Sequence, residues 1–206
     1  MELFEAIKTR RSIRAYTKHV VPSQKIKKIV EAGLLAPSSK NSQPWNFIVI
    51  ENKKIIKQIA DFLINSRNTE AEPSDPATGK IKKGYKSSIK ASGEIIKIAP
   101  VLIAVENTCP FSGGRKKVRS SKFANAINGH DSEFISLGAA IQNMSLAIHG
   151  LDLSTVIICD AIAEEEKIKK LLKLKGDLVA ILPIGYPAYK AGSKAVNSVN
   201  KVRFIK

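Results

Sequence analysis

Three short polar clusters carry side chains suited to holding a ligand. The first, Thr9-Arg10-Arg11-Ser12-Ile13-Arg14, sets three arginines within one short segment. A guanidinium is a planar, permanently charged fork that matches phosphate and ring carbonyl oxygens. The second runs Pro37-Ser38-Ser39-Lys40-Asn41-Ser42-Gln43-Pro44-Trp45. Hydroxyls and side-chain amides on a stiff, proline-bounded turn suit a polyhydroxylated or amide-edged ligand. The third, Asn200-Lys201-Val202-Arg203, alternates two cations with other residues as a strand edge would. Each alone also has an ordinary explanation, as a helix end, a surface turn and a basic tail. No metal-binding spacing accompanies them. His19, His130 and His149 stand apart and read as surface or helix-end residues, and Cys109 and Cys159 form no CxxC pair.

Composition narrows the function classes. The 206 residues are 44% hydrophobic and 25% charged, which fits one globular domain spanning 1–206 with a well-buried core. No apolar run approaches the ~20 residues of a membrane-spanning helix. The first residues, with Glu2 and Glu5, do not resemble a signal peptide. Two widely separated cysteines argue against a disulfide framework, so the expectation is a cytoplasmic protein without a membrane partner. The formal net charge of +16 leaves nucleic acid open as a partner. Many of the lysines, however, lie on helical segments as solvated faces, and only GGRKKVRSSK, residues 113–122, is densely basic. Aromatic residues, at 6%, are too few for a base-stacking surface.

The elements that must position the clusters are legible from periodicity. Leu3, Phe4, Ala6 and Ile7 predict a short helix over 2–9. Ile26, Ile29, Val30, Gly33 and Leu34 predict another, opened near Pro22 or Ser23 and closed before Pro37. Trp45–Ile50 reads as a strand, 52–64 as a helix, and Ile89–Ile98 as a further helix. Pro100–Glu106, Thr155–Cys159 and Leu178–Ile184 read as strands, with a helix over Glu164–Leu174. Ser132–Gly150 predicts a long helix, with Ile135, Gly138, Ala139, Ile141, Gln142, Leu146 and Ala147 on one broad face and Gly150 as terminator. Two polar stretches, 65–92 and 107–130, read as lid loops. The whole predicts an α+β fold, a central mixed or antiparallel sheet flanked by helices.

Taken together and in this order, the motifs resemble the nitroreductase-like family of flavin mononucleotide (FMN) oxidoreductases. The resemblance rests on Arg-Arg-Ser-x-Arg near the start and EAGLLAPSSKNSQPWNFIVI at Glu31–Ile50. It continues through Ala99–Val105, GAAIQNMSLAIHGL at Gly138–Leu151, IGYP at Ile184–Pro187, and the closing Lys-x-Arg. It implies a homodimer with two flavin sites at the subunit interface. Arg10 and Ser12, with Arg11 beside them, correspond to contacts with the FMN phosphate and ribityl chain. Arg14 corresponds to the cation near the pyrimidine edge of the ring, where positive charge favours reduction. Pro37, Ser38, Ser39, Asn41 and Gln43 correspond to the turn laid over the flavin by the partner subunit, and Lys201 and Arg203 to a phosphate clamp.

The implied activity is transfer of electrons from NADH or NADPH through FMN to a flat small-molecule acceptor, such as a nitroaromatic or a quinone, by a ping-pong mechanism. Hydride transfer needs no side-chain acid or base, so no catalytic residue of that kind is expected. The same fold also serves other flavin reactions. One departure from the family is the stretch Leu151–Asp160, which lacks the glycines usual beside the reactive flavin nitrogen. A backbone amide around Ile157–Cys159 is expected there instead.

Overall fold

The structure, a computed structural model, describes residues 1–67, 88–120 and 124–192 together with Arg203 and Ile205. Its strands are β1 (Trp45–Ile50), β2 (Val101–Asn107), β3 (Ser154–Thr155) and β4 (Asp177–Gly185), paired antiparallel in the order β1-β2-β4-β3. The expected α+β architecture is found, with antiparallel pairing throughout the sheet.

Side-chain alternation along β2 divides the core. Val101, Ile103 and Val105 face one layer, formed by helices α2 (Ser23–Leu34) and α6 (Ala124–Gly150). Leu102 and Ala104 face the other, formed by α3 (Lys53–Ile64), α4 (Ser88–Ile98) and α7 (Glu165–Leu172). Every residue of β2 and β4 is buried, as in a strand covered on both faces. Two small helices, α1 (Leu3–Thr9) and α5 (Arg115–Ser120), lie beside α6.

Local chemistry sets several boundaries. The Asn52 side chain caps α3 by accepting from the Lys54 and Ile55 amides at 2.9 and 3.3 Å. Gly33 lets α2 approach α6, since a Cβ there would meet Met144 Cγ at 2.9 Å. Gly176 has no alternative at all, because its Cβ would stand 1.9 Å from the Asn107 carbonyl oxygen.

Several sequence expectations change. The long helix begins at Ala124 rather than Ser132, and α5 occupies Arg115–Ser120, so the 107–130 stretch is largely helical. Gly129 weakens the helical pattern, yet it is where Phe111 packs, and an added Cβ would meet Phe111 Cβ at 2.9 Å. Of the 65–92 stretch, Ser88 onward is already α4, and 68–87 lie outside the described residues. The terminator of α6 is Asp152 (φ 61), not Gly150. The Leu153 amide donates to the Ile148 carbonyl and the Asp152 amide to that of His149, at 3.0 and 3.1 Å, the paired closure of a left-handed helix end. The predicted strand 155–159 narrows to Ser154–Thr155 plus a single bridge from Ile158 to Ile181.

Candidate functional site

After α1 the chain turns out at Arg10, whose amide still donates to the Ala6 carbonyl at 2.9 Å, and then runs along the end of the sheet. Ser12 bridges Thr155 in parallel, and the Ile13 amide donates to the Thr155 carbonyl at 3.1 Å. Tyr16 anchors the segment by donating to the Ile13 and Pro183 carbonyls, and burial pushes its phenol well above the usual value. The arginine motif is thereby strung between α1 and β3, with the C-terminal half of α6 behind it.

A cleft of about 270 Å³ opens there, lined by Thr9, Arg10, Arg11, Ser145, His149 and Thr155, with Tyr189 and Lys190 on the far wall. None of its lining residues is acidic. The Arg11 fork is occupied by the backbone carbonyls of Lys8, Arg10 and Gly192, at 2.7, 2.8 and 3.1 Å. It works as a strut between the end of α1 and the segment after β4. The Arg10 guanidinium has no hydrogen-bond or ion-pair partner among the described residues, the backbone of Arg10 alone being bonded. A half-buried cation in a cleft with no acid among its described lining is chemically suited to an anion. Arg14 stands just outside, its amide donating to the Tyr189 hydroxyl at 3.3 Å and its guanidinium to the Ser12 carbonyl at 3.4 Å.

The second cluster lies elsewhere. In the Pro37–Pro44 turn, Lys40, Asn41 and Gln43 all adopt left-handed backbone (φ 52, 53 and 45). Such conformations are costly for residues other than glycine and are held only where surrounding contacts impose them. Here the Ser38 hydroxyl accepts from the Gln43 amide at 3.0 Å, and the Gln43 side chain donates to Asn41 Oδ1 at 3.1 Å. The Ser39 amide docks on the Ser136 hydroxyl of α6 at 3.2 Å. His149, at the arginine cleft, lies thirteen residues further along the same helix, so roughly 20 Å separates the two clusters at 1.5 Å per residue. Pro37, Ser38 and Ser39 instead border a depression of about 310 Å³ with Ile135, Ser136 and Ala139. A second depression, about 450 Å³, lies between Ser39, Lys40, Phe111, Asn128 and Ser132, with Lys40 Nζ 5.7 Å from the Phe111 ring centroid.

Of the third cluster, Arg203 is exposed and Lys201 lies outside the described residues. The basic run is partly accounted for by structure. Arg115 turns inward to pair with Glu165 at 2.5 Å and the Leu178 carbonyl at 3.1 Å, and Lys116 pairs with Glu166 at 3.0 Å. Cys109 and Cys159 are free thiols that burial pushes up, Cys109 to about 11, so neither is an activated nucleophile.

Sequence reasoning missed Ser145, His149, Tyr189 and Lys190 as cleft residues. Ser145 and His149 share one face of α6 at an i, i+4 spacing, a signal hidden by the apolar residues between them. It also missed Glu133, fully buried on α6 and accepting from Asn107, Phe111 and Ser112. No helix among the described residues is long and apolar enough to cross a membrane, and none of their His, Cys, Asp or Glu groups forms a metal-binding cluster.

The family model for the nitroreductase family matches residues 7–186, from the end of α1 to the Tyr following β4. The chain belongs to the nitroreductase family. It is therefore an oxidoreductase, as the motif order implied. A protein of Methanothermobacter thermautotrophicus named "Putative NADH dehydrogenase/NAD(P)H nitroreductase" is 29% identical, over 100% of this chain and 88% of its own length. Iodotyrosine deiodinase 1 of Rattus norvegicus is 28% identical over 91% of this chain, and the match spans 62% of the deiodinase. A Desulfovibrio desulfuricans structure described as "a putative nitroreductase in complex with fmn" is similar with a TM-score of 0.68 and 26% identity, over 100% of this chain and 99% of that one.

Proposed function

We propose that this chain is an FMN-dependent NAD(P)H oxidoreductase that works as a homodimer and reduces flat electrophiles such as nitroaromatics or quinones. The observation that carries the reading is the Arg10 fork, unpaired among the described residues, in a hydroxyl-lined cleft with no acid among its described lining, beside Ser12 and Arg14. The residues fit the phosphate and ribityl end of FMN: Arg10 and Lys190 for charge, Ser12, Ser145 and Thr155 for hydroxyl contacts. Lys201 and Arg203 belong to the same proposal as a clamp, and Arg11 holds the wall rather than the ligand. Arg14 supplies positive charge where the ring begins. Bound FMN would supply the hydride-accepting chemistry.

A cleft of about 270 Å³ lies at the lower edge of ligand pockets, which span roughly 300–1,000 Å³, so it covers only part of a nucleotide. The rest needs a second wall. In this reading the strained turn carrying Pro37, Ser38, Ser39, Asn41 and Gln43, roughly 20 Å away on its own chain, supplies that wall to a partner across a two-fold axis. The face between the clusters suits such an interface. Ile135 is 76% exposed, and nothing lies within 4 Å of a Cβ built on Gly138. Phe4 of α1 (83%) and Leu35 after α2 (76%) add exposed apolar surface on elements packed against α6. The free thiols of Cys109 and Cys159 support a reducing compartment, the cytoplasm, as part of the same reading.

The purified protein is expected to be yellow, or to take up one FMN per chain when FMN is added. If one ring face serves donor and acceptor in turn, initial-rate plots against NAD(P)H at several acceptor concentrations are parallel, and NAD(P)H alone bleaches the visible absorbance. A folded sample that ignores micromolar FMN would refute the proposal. Arg10→Ala is expected to weaken FMN by about ten- to a hundredfold, the worth of a charge-assisted contact. Lys116→Ala, in the basic run, changes flavin affinity little, and equal effects of the two would move the anion site away from the cleft.

The likeness to iodotyrosine deiodinase 1 supports a second reading, the same flavin site used for another reduction. Intersecting rate plots, or a flavin that NAD(P)H does not bleach, would favour it.

A further inference from the structure

The last turn of α6 brings the His149 ring into the wall of the cleft that holds Arg10, Arg11 and Lys190. His149 Nε2 lies 2.8 Å from the Thr9 hydroxyl oxygen. That hydroxyl has one proton, and it is donated to the Glu5 carbonyl at 2.6 Å. Thr9 Oγ1 must then accept from the ring. Nε2 therefore carries the hydrogen, and Nδ1 is the nitrogen that gains or loses a proton. The His149 ring makes no other hydrogen bond among the described residues.

The charges around the ring come from every element packed on it. Burial first, then Arg10 and Arg11, hold its pKa below the usual histidine value, while Asp152 after α6 and Glu5 of α1 act in the opposite sense. Lys190 shares the cleft. The ring is thus neutral near pH 7 while the cleft holds no anion. A bound anion reverses that balance, offsetting the two arginines and giving an Nδ1–H group an acceptor.

We infer that His149 is a further ligand of the cofactor's phosphate, taking up a proton on Nδ1 as the phosphate binds and donating that hydrogen to it. The inference rests on the FMN reading and adds to it a residue whose contact forms together with the bound anion. Its sign follows from linkage. An anion that raises the histidine pKa binds more tightly as pH falls through the raised value, and the gain levels off below the lowered value of the empty cleft.

The test uses FMN titrated into the full-length apoprotein, followed by quenching of flavin fluorescence at pH 6 and pH 8. H149Q retains an N–H for Thr9 but cannot titrate, and H149A removes both. The phosphate of FMN also gains a proton near pH 6, equally for each protein, so the ratio of wild type to H149Q isolates the ring. The wild-type advantage over H149Q is expected to grow about five- to tenfold from pH 8 to pH 6, against a ceiling of tenfold per pH unit. Calorimetry at pH 7 in buffers of different ionisation enthalpy should show more proton uptake by the wild type than by H149Q. An equal ratio at both pH values with equal proton uptake would overturn the inference. So would equal, pH-independent weakening in H149Q and H149A, which would leave the ring only a spacer behind the cleft. A folded wild-type protein that binds no FMN at either pH would remove the FMN reading itself, and this one with it.

Discussion

From the proposed homodimer it follows that Gly138→Arg is expected to leave the protein monomeric and to weaken FMN by at least about a hundredfold, roughly 2.7 kcal/mol. Within one chain the substitution is harmless. Gly138 is exposed on α6, nothing lies within 4 Å of an added Cβ, and its backbone is helical. Replacing a mid-helix glycine with arginine even favours the isolated helix by up to about 1 kcal/mol. If this face were solvated, the variant would be slightly more stable and otherwise unchanged. Against a partner helix, the same side chain buries an unpaired charge and forces the backbones apart. The flavin effect follows from the roughly 20 Å between Arg10 and the Pro37–Gln43 turn, since a monomer retains the phosphate end of the site and loses its cover. Sedimentation at micromolar protein and a flavin titration read the two effects. A variant that remains dimeric, or a monomer with wild-type FMN affinity, would contradict the interface assignment.

The same face shows what the sequence could convey. Strand β1 reads directly as Trp45–Ile50, because a proline-bounded apolar run leaves few options, and helix α2 is marked by its period and by Pro37. On α6, Ile135, Gly138 and Gln142 group by periodicity with Ile141, yet the core takes Leu137, Ala140, Ile141, Met144 and Ile148. An apolar stripe facing the core and one left exposed beside it look alike in sequence, since hydropathy does not say what covers a residue. Gly150 was the natural helix terminator by residue type. Asp152 takes the left-handed position because closing the turn there buries Leu153 against Ile148. The arginine motif and the polar turn were legible as candidate binding segments. What was not legible is which residues meet them, because Thr9 meets His149 across 140 positions of chain.

Glu133 was hidden for a related reason, as one acid in the first turn of the helix read over Ser132–Gly150, and its substitution carries the other large expected effect. Its carboxylate, 0% exposed, accepts from Asn107 Nδ2 (2.9 Å), the Ser112 hydroxyl (2.7 Å), and the Phe111 and Ser112 amides (2.8 and 2.9 Å). Burial alone would raise its pKa, but these four donors outweigh burial and hold it below the usual glutamate range. Glu133→Gln replaces one acceptor oxygen with an NH₂ group. If the remaining oxygen stays with the two backbone amides, that NH₂ faces the Asn107 amide, donor against donor. Flipping Asn107 would relieve the conflict only by breaking its bond to the Cys109 amide at 2.9 Å. The expected cost at pH 7 is about 2–3 kcal/mol, read from urea unfolding. A carboxyl with a depressed folded pKa contributes stability above its unfolded value of about 4.3 and loses it as pH falls through the folded one. The gap between wild type and Glu133→Gln should therefore hold at pH 7 and pH 5 and begin to close below about pH 4.3. Because the same bonds fix Phe111, which with Lys40 lines the 450 Å³ depression, the variant should also loosen that wall, seen as faster amide exchange at Phe111 and Ser112. Equal unfolding midpoints at pH 7 would mean that Asn107 and the loop find other partners at no cost, and that Glu133 does not hold the loop to α6.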